Sequence, residues 1–228
     1  MCGTRLFCLP YAGGSSLFYR PLGKLLKSSV DLIALDYPGH GARMGNDLCV
    51  RLDDLLDDVY AQMRKKNLDE PFAVLGYSLG ATVAYHLFFY LQAKGLTPQH
   101  VFFAANTPPY VPNDGVPSPD LDDDEFLDQM TALGGMSQEV LACRELLDLF
   151  LPIMRADVRL EEAGSVTVPR TIDVSMTVMY GNEDDTNSEM GEWCHCAGAS
   201  CDLRALDGGH FFMLDHYADV AQIINRAL

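Results

Sequence analysis

A serine with glycine two residues away on either side stands in Gly76-Tyr77-Ser78-Leu79-Gly80. The residues before it, Phe72-Ala73-Val74-Leu75, read as a buried strand. Those after it, Leu79 to Lys94, are apolar nearly all round and read as a buried helix that stops at Gly95. On so sharp a strand-to-helix bend the hydroxyl is thrust above the sheet, and the small flanking residues let the backbone turn tightly. The helix N-terminus aims its first amides, that of Leu79 among them, toward a carbonyl under attack by the hydroxyl. The chemistry this arrangement suits is nucleophilic acyl transfer.

The pentapeptide in this setting resembles the nucleophile turn of the α/β-hydrolases, in which the acid and then the histidine follow the serine along the chain. Of the six histidines, that order removes His40, His86 and His100 as the base. His195 falls within an expected helix and His216 at the start of the next. His210 lies in Leu206-Asp207-Gly208-Gly209-His210-Phe211-Phe212, after the last strand, where two glycines free a loop to return the imidazole over Ser78. The imidazole needs a carboxylate to fix its tautomer and stabilise its charged form. The loop Gly181-Asn182-Glu183-Asp184-Asp185-Thr186 offers three, of which Asp184 is favoured and Asp185 is the alternative. Asp207 is too near His210 in sequence to reach the far ring nitrogen and is assigned to organising the loop.

A second donor for the oxyanion should come from the loop after the first strand, Leu9-Pro10-Tyr11-Ala12-Gly13-Gly14-Ser15-Ser16. Ala12 is the choice there, paired with Leu79. The lysine of a phosphate-binding loop is missing from this glycine-rich stretch. Cys194-His195-Cys196 with Cys201 lacks the paired spacing of structural zinc sites, so neither a metal nor another cofactor is expected.

These groups need a scaffold. Apolar runs at Thr4–Pro10, Val30–Asp36, Phe72–Gly76, His100–Asn106 and Val174–Gly181, with a weaker one at Cys201–Leu206, alternate with helical patterns. That alternation predicts a parallel sheet covered by helices. Leu52, Leu55, Leu56, Val59, Tyr60 and Met63 fall on one helical stripe, with aspartates early and Arg64 to Lys66 late, in accord with the helix dipole. Tyr217, Val220, Ala221 and Ile224 mark a last surface helix. Residues 112–169 break the alternation with prolines, an acidic run and helical patterns over Glu125–Leu133 and beyond Ser137, a candidate N-cap. Pro152 should kink or break the later helix. The division expected is a core of residues 1–111 and 170–228 with residues 112–169 as a helical lid insertion.

The 228 residues carry 16 Lys and Arg against 32 Asp and Glu, a net charge of −16. Such a field repels nucleic acid and anionic membranes, so neither is an expected partner. Seven cysteines without a secretory leader suit a reducing compartment, and a cytoplasmic monomer is expected.

Taken in order, Leu9-Pro10-Tyr11-Ala12-Gly13-Gly14-Ser15, Asp36-Tyr37-Pro38-Gly39-His40-Gly41-Ala42-Arg43, Gly76-Tyr77-Ser78-Leu79-Gly80-Ala81 and Asp207-Gly208-Gly209-His210-Phe211-Phe212 resemble the type II thioesterases of nonribosomal peptide and polyketide synthases. So does the segment Leu146 to Asp157. The resemblance implies hydrolysis of acyl groups held as thioesters on the phosphopantetheine arm of carrier proteins. It places Ser78, Asp184 and His210 in the triad and Ala12 and Leu79 at the oxyanion. The chain departs from the family where Asp185 replaces a proline of the acid loop, and where Asn106-Thr107 stands in place of a frequent basic residue. Carrier proteins are themselves acidic, so docking would need apolar contact or a local basic patch drawn from Lys24, Lys27, Arg43 and Arg155. The alternatives are a carboxylesterase or lipase using the same triad, and a hydrolase fold reused as a binding module.

Overall fold

A computed structural model describes residues 3–112, 117–134, 138–187 and 189–228, apart from the side chains of residues 138, 139 and 187. Six strands, β1 (Thr4–Leu9), β2 (Val30–Ala34), β3 (Phe72–Tyr77), β4 (His100–Ala104), β5 (Met176–Gly181) and β6 (Cys201–Leu206), form one sheet in the order β2-β1-β3-β4-β5-β6. Every pairing is parallel. All residues of β3 and β4 are buried, which explains why those segments read as unbroken apolar runs. β1, β2 and β4 end one or two residues sooner than their apolar runs, where the chain turns off into a loop; β3 runs one residue further, to Tyr77, and β5 begins two residues later, at Met176.

Helices cover both faces. α1 (Arg20–Gly23) and α7 (Tyr217–Ala227) lie on one side, where Leu22, Val220, Ala221 and Ile224 pack on Leu6, Cys8 and Leu75. α2 (Leu52–Arg64) and α3 (Leu79–Gln92) lie on the other; the stripe of α2 puts Leu55, Leu56, Val59 and Met63 into the core. Eleven of the fourteen residues of α3 are buried, so it is the central helix its composition demands.

Between β4 and β5 run α4 (Asp123–Ala132), α5 (Gln138–Leu141) and α6 (Arg144–Ala163). Asp122 caps α4 by accepting from Glu125 N; Ser137 lies outside the described residues. Phe126 and Met130 of α4 pack on Met154 and Val158 of α6 in a small core of their own. α6 is not broken at Pro152 but runs through it. The ring removes one backbone donor, and the packing of Met154 and Val158 on α4, with Leu160 in the main core, holds the second half in line.

The strand order reverses beside β1: the chain leaves β1 for β2 on one side and returns to β3 on the other. Ligands of open parallel sheets gather at the carboxyl ends of the strands at such a switch. Register sharpens this. Leu9 pairs with Gly76, so the loop after β1 and the turn after β3 emerge together. Gly181 pairs with Leu206, so the loops after β5 and β6 emerge together as well.

Candidate active site

Ser78 occupies the turn between β3 and α3 with φ 54° and ψ −120°, a left-handed conformation that costs a non-glycine residue strain. Two glycines permit it. A Cβ on Gly76 would run into the carbonyl of Gly80, and one on Gly80 into that of Leu9. The turn is therefore pressed against both α3 and the end of β1, with no room for a methyl group.

His210 Nε2 lies 3.1 Å from Ser78 Oγ, and His210 Nδ1 lies 2.9 Å from Asp184 Oδ2. Asp185, the alternative, instead starts a short 3-10 turn. Asp184 Oδ1 accepts from Thr186 N at 3.1 Å and from Thr186 Oγ1 at 2.6 Å. Burial by itself would raise the Asp184 carboxyl, but the bond and charge of His210 and the two bonds from Thr186 outweigh it and hold the group below its usual range. The carboxylate is thus kept ionised behind the imidazole. This orders the ring with Nδ1–H toward Asp184 and leaves Nε2 to accept from Ser78.

The histidine loop is stitched to the acid loop. Glu183 N donates to Gly208 O, and Asn182 Nδ2 donates to Asp207 Oδ1, the organising role read for that aspartate. Tyr77 Oη donates to His210 O at 2.5 Å. Its ring meets Phe211, Phe212 and Phe18, so an aromatic wall backs the histidine.

Ala12 and Leu79 both line the space beside Ser78. Leu79 is the first residue of α3, where the N–H has no acceptor within the helix. The loop after β1 is held from two directions. Asp36 accepts from Ser16 N, Ser16 Oγ and Ala42 N, tying it to the loop after β2. Asp157, from α6, accepts from Gly13 N at 2.7 Å and meets His40 Nε2 at 2.8 Å. His40 Nδ1 faces Pro38 O at 2.9 Å, so both ring nitrogens face oxygens that can only accept, and the ring is an imidazolium beside a carboxylate. Burial would lower the His40 pKa, yet the Asp157 bond and charge raise it overall.

Above these groups lies a chamber of about 450 Å³, within the usual size of small-molecule sites. Its walls include Ser78 and His210, and its roof includes Met130, Phe150, Ile153 and Met154 from α4 and α6.

Sequence reasoning brought Ser78, His210, Asp184, Ala12 and Leu79 to one place. It missed Asp157, His40, Thr186 and Asn106, whose Nδ2 donates to Ser78 O at 3.2 Å. Chain order set His40 aside as a base, and no spacing rule could show that an aspartate of α6 reaches it. Of the basic candidates, Arg43 is taken up by Asp58, Arg155 by Asp123 and Pro119 O, and Lys27 by Asn225 O. Of the four zinc-suggestive residues, Cys194 Sγ and Cys201 Sγ lie 2.9 Å apart, whereas His195 turns to Glu192 and Cys196 enters the core. Among the described residues no helix is long and apolar enough to cross a membrane.

A parallel sheet with a strained serine turn, facing loops and a helical roof defines an α/β-hydrolase. Solved structures align over nearly the whole chain. ClbQ from the colibactin NRPS/PKS pathway superposes with a TM-score of 0.90 at 27% identity, covering 99% of this chain and 96% of that one. BorB, the type II thioesterase from the borrelidin biosynthetic cluster, gives 0.85 at 27% identity, covering 99% and 92%. A Streptomyces griseus protein named "Probable cadicidin biosynthesis thioesterase" is 31% identical over 229 residues; the match takes in 99% of this chain and 62% of that protein's length. The thioesterase domain model matches residues 4–228, and the chain belongs to that family of hydrolases.

Proposed function

We propose that the protein releases acyl groups from the phosphopantetheine thiol of carrier proteins in nonribosomal peptide or polyketide synthesis, as a cytoplasmic editing thioesterase. The observation that carries this reading is the unbroken path from Asp184 through His210 to Ser78, opening into an apolar chamber. Membership of the thioesterase family supports it.

In this reading His210 Nε2 takes the proton of Ser78 as Oγ attacks the thioester carbonyl, and Asp184 stabilises the resulting imidazolium. The amides of Ala12 and Leu79 receive the oxyanion. The tetrahedral intermediate collapses, the C–S bond breaks, and the proton passes from His210 to the pantetheine sulfur. Water then attacks the acyl-serine with His210 again as base, releasing the acid and restoring Ser78. The chain's own groups suffice for each proton transfer. α4 and α6 would act as the lid that shields the acyl chain.

The test compares hydrolysis of an acyl-loaded carrier protein, the matching acyl-CoA and a nitrophenyl ester, with Ser78→Ala alongside. The proposal expects the highest kcat/KM on the carrier-bound thioester and its loss in the variant. Equal or better turnover of the free ester would favour a carboxylesterase. Turnover that survives Ser78→Ala would remove the serine from the chemistry.

A further inference from the structure

The turn of α6 that follows Asp157 carries a second carboxylate, Glu161, which lines the chamber together with Ser78 and Asn106. One of its oxygens is fully engaged: Oε1 accepts from Thr82 Oγ1 at 2.7 Å and from Asn106 Nδ2 at 2.7 Å. The other, Oε2, is shut off from solvent and meets no donor among the described residues. A buried acceptor left unmet costs free energy, and such atoms are rare in native interiors.

Position makes this more than a packing flaw. Asn106 Nδ2 reaches Glu161 Oε1, Thr82 Oγ1 and Ser78 O at once, so the carboxyl lies one side chain from the nucleophile's backbone. Trp193 Nε1 donates to Asn106 O, which fixes that asparagine from behind. Thr82 sits one turn into α3 beyond Ser78. The rest of the roof is apolar, so Glu161 is a polar point in a hydrocarbon wall. Both neighbours donate to it, and this sets the carboxyl as an acceptor. Burial pushes its pKa up against the Thr82 and Asn106 bonds and the nearby His210, while Asp157 adds to the rise. Among the described residues no cation bonds to Glu161 directly.

We propose that Glu161 selects the acyl group: its carboxylate receives an amino group carried close to the thioester carbonyl, so the chamber favours aminoacyl over plain acyl chains. This rests on the acyl-transfer reading of Ser78 given above. A cation is favoured over a neutral donor because a carboxylate in a low-dielectric wall gains most from an opposite charge.

The experiment measures binding of alanyl-, lactyl- and propionyl-pantetheine amides, which do not break down, to the whole protein by calorimetry. The alanyl compound should bind wild type about tenfold or more tightly than the propionyl compound, as charge-assisted hydrogen bonds allow, with the lactyl compound nearer to propionyl. In Glu161→Gln the alanyl-to-propionyl ratio should fall to within about twofold. A wild-type ratio near one overturns the proposal, as does a ratio that survives the substitution or a lactyl compound binding as well as alanyl. The wild-type ratio decides the matter even if the variant does not fold. The readout needs no catalysis, so it stands apart from the Ser78→Ala test: turnover that persists in that variant would sink the nucleophile assignment and leave the binding ratio intact.

Discussion

Replacing Asp157 by asparagine keeps the shape of the side chain and removes one charge from a fully enclosed pair. Asp157 is 1% exposed and His40 3%, and their facing atoms are 2.8 Å apart. His40 is held protonated by two acceptors, so the variant leaves an imidazolium with no counter-charge. Breaking a buried pair from one side costs about 3–5 kcal/mol, a large share of the roughly 5–15 kcal/mol that holds a domain together. The same substitution weakens the tie to Gly13 N, next to the expected oxyanion donor Ala12. Losing such a donor outright costs about 10²- to 10³-fold in kcat, so a shifted loop should cost about 10- to 100-fold. Urea unfolding gives the first figure, and kcat on a nitrophenyl ester gives the second. The pH dependence separates charge from shape. The folded-state pKa of His40 is raised above 6.5, so its contribution is fully present below that value and declines as pH rises through the raised pKa. Wild type should show that decline and Asp157→Asn should not. A variant within about 1 kcal/mol of wild type at pH 6, with unchanged kcat, would refute the reasoning.

Asp184→Asn should lower kcat by about four orders of magnitude, since the ring would no longer be held in the productive tautomer; a loss under tenfold would move the acid role elsewhere, with Asp185→Asn as the comparison. Because the Asp184 pKa is depressed from 3.8, its contribution to stability is present above that value and should fade as pH falls through the folded-state pKa, which acid unfolding of wild type and Asp184→Asn can compare. Ser78→Ala should abolish reaction with a fluorophosphonate probe. Its Tm should be unchanged or higher, since a strained turn loses nothing by losing a hydroxyl. Gly76→Ala should destabilise the fold by about 1–3 kcal/mol or more, read by urea unfolding, because a Cβ there meets backbone and not a movable side chain.

The sheet was legible because β3, β4 and the buried core of β1 are enclosed on both faces, leaving apolar runs that no loop imitates. Ser78 and His210 were legible because glycines mark the bends that present them. Asp184 was only half legible. Three adjacent carboxylates differ in direction and not in type, and the bonds from Thr186 distinguish this one from its neighbours. Asp157 and Glu161 were not legible at all. On a helix pattern an acidic residue reads as a solvent-facing position, and its burial depends on a surface that packs against it from elsewhere in the chain. Pro152 was read as a kink or a break for a related reason: local propensity counts the lost donor, but the packing of Met154 and Val158 beyond the ring keeps the helix unbroken.

Among the described residues, the hydrogen bonds that bolt α6 to the catalytic framework come from its second half, through Asp157 to Gly13 and Glu161 to Thr82, both beyond Pro152. This gives the enzyme an exchangeable part and a fixed one. Grafting α4, α5 and the first half of α6 from a relative should transplant chain-length preference while sparing the chemistry. A graft carried past residue 152 would swap out the bolts as well.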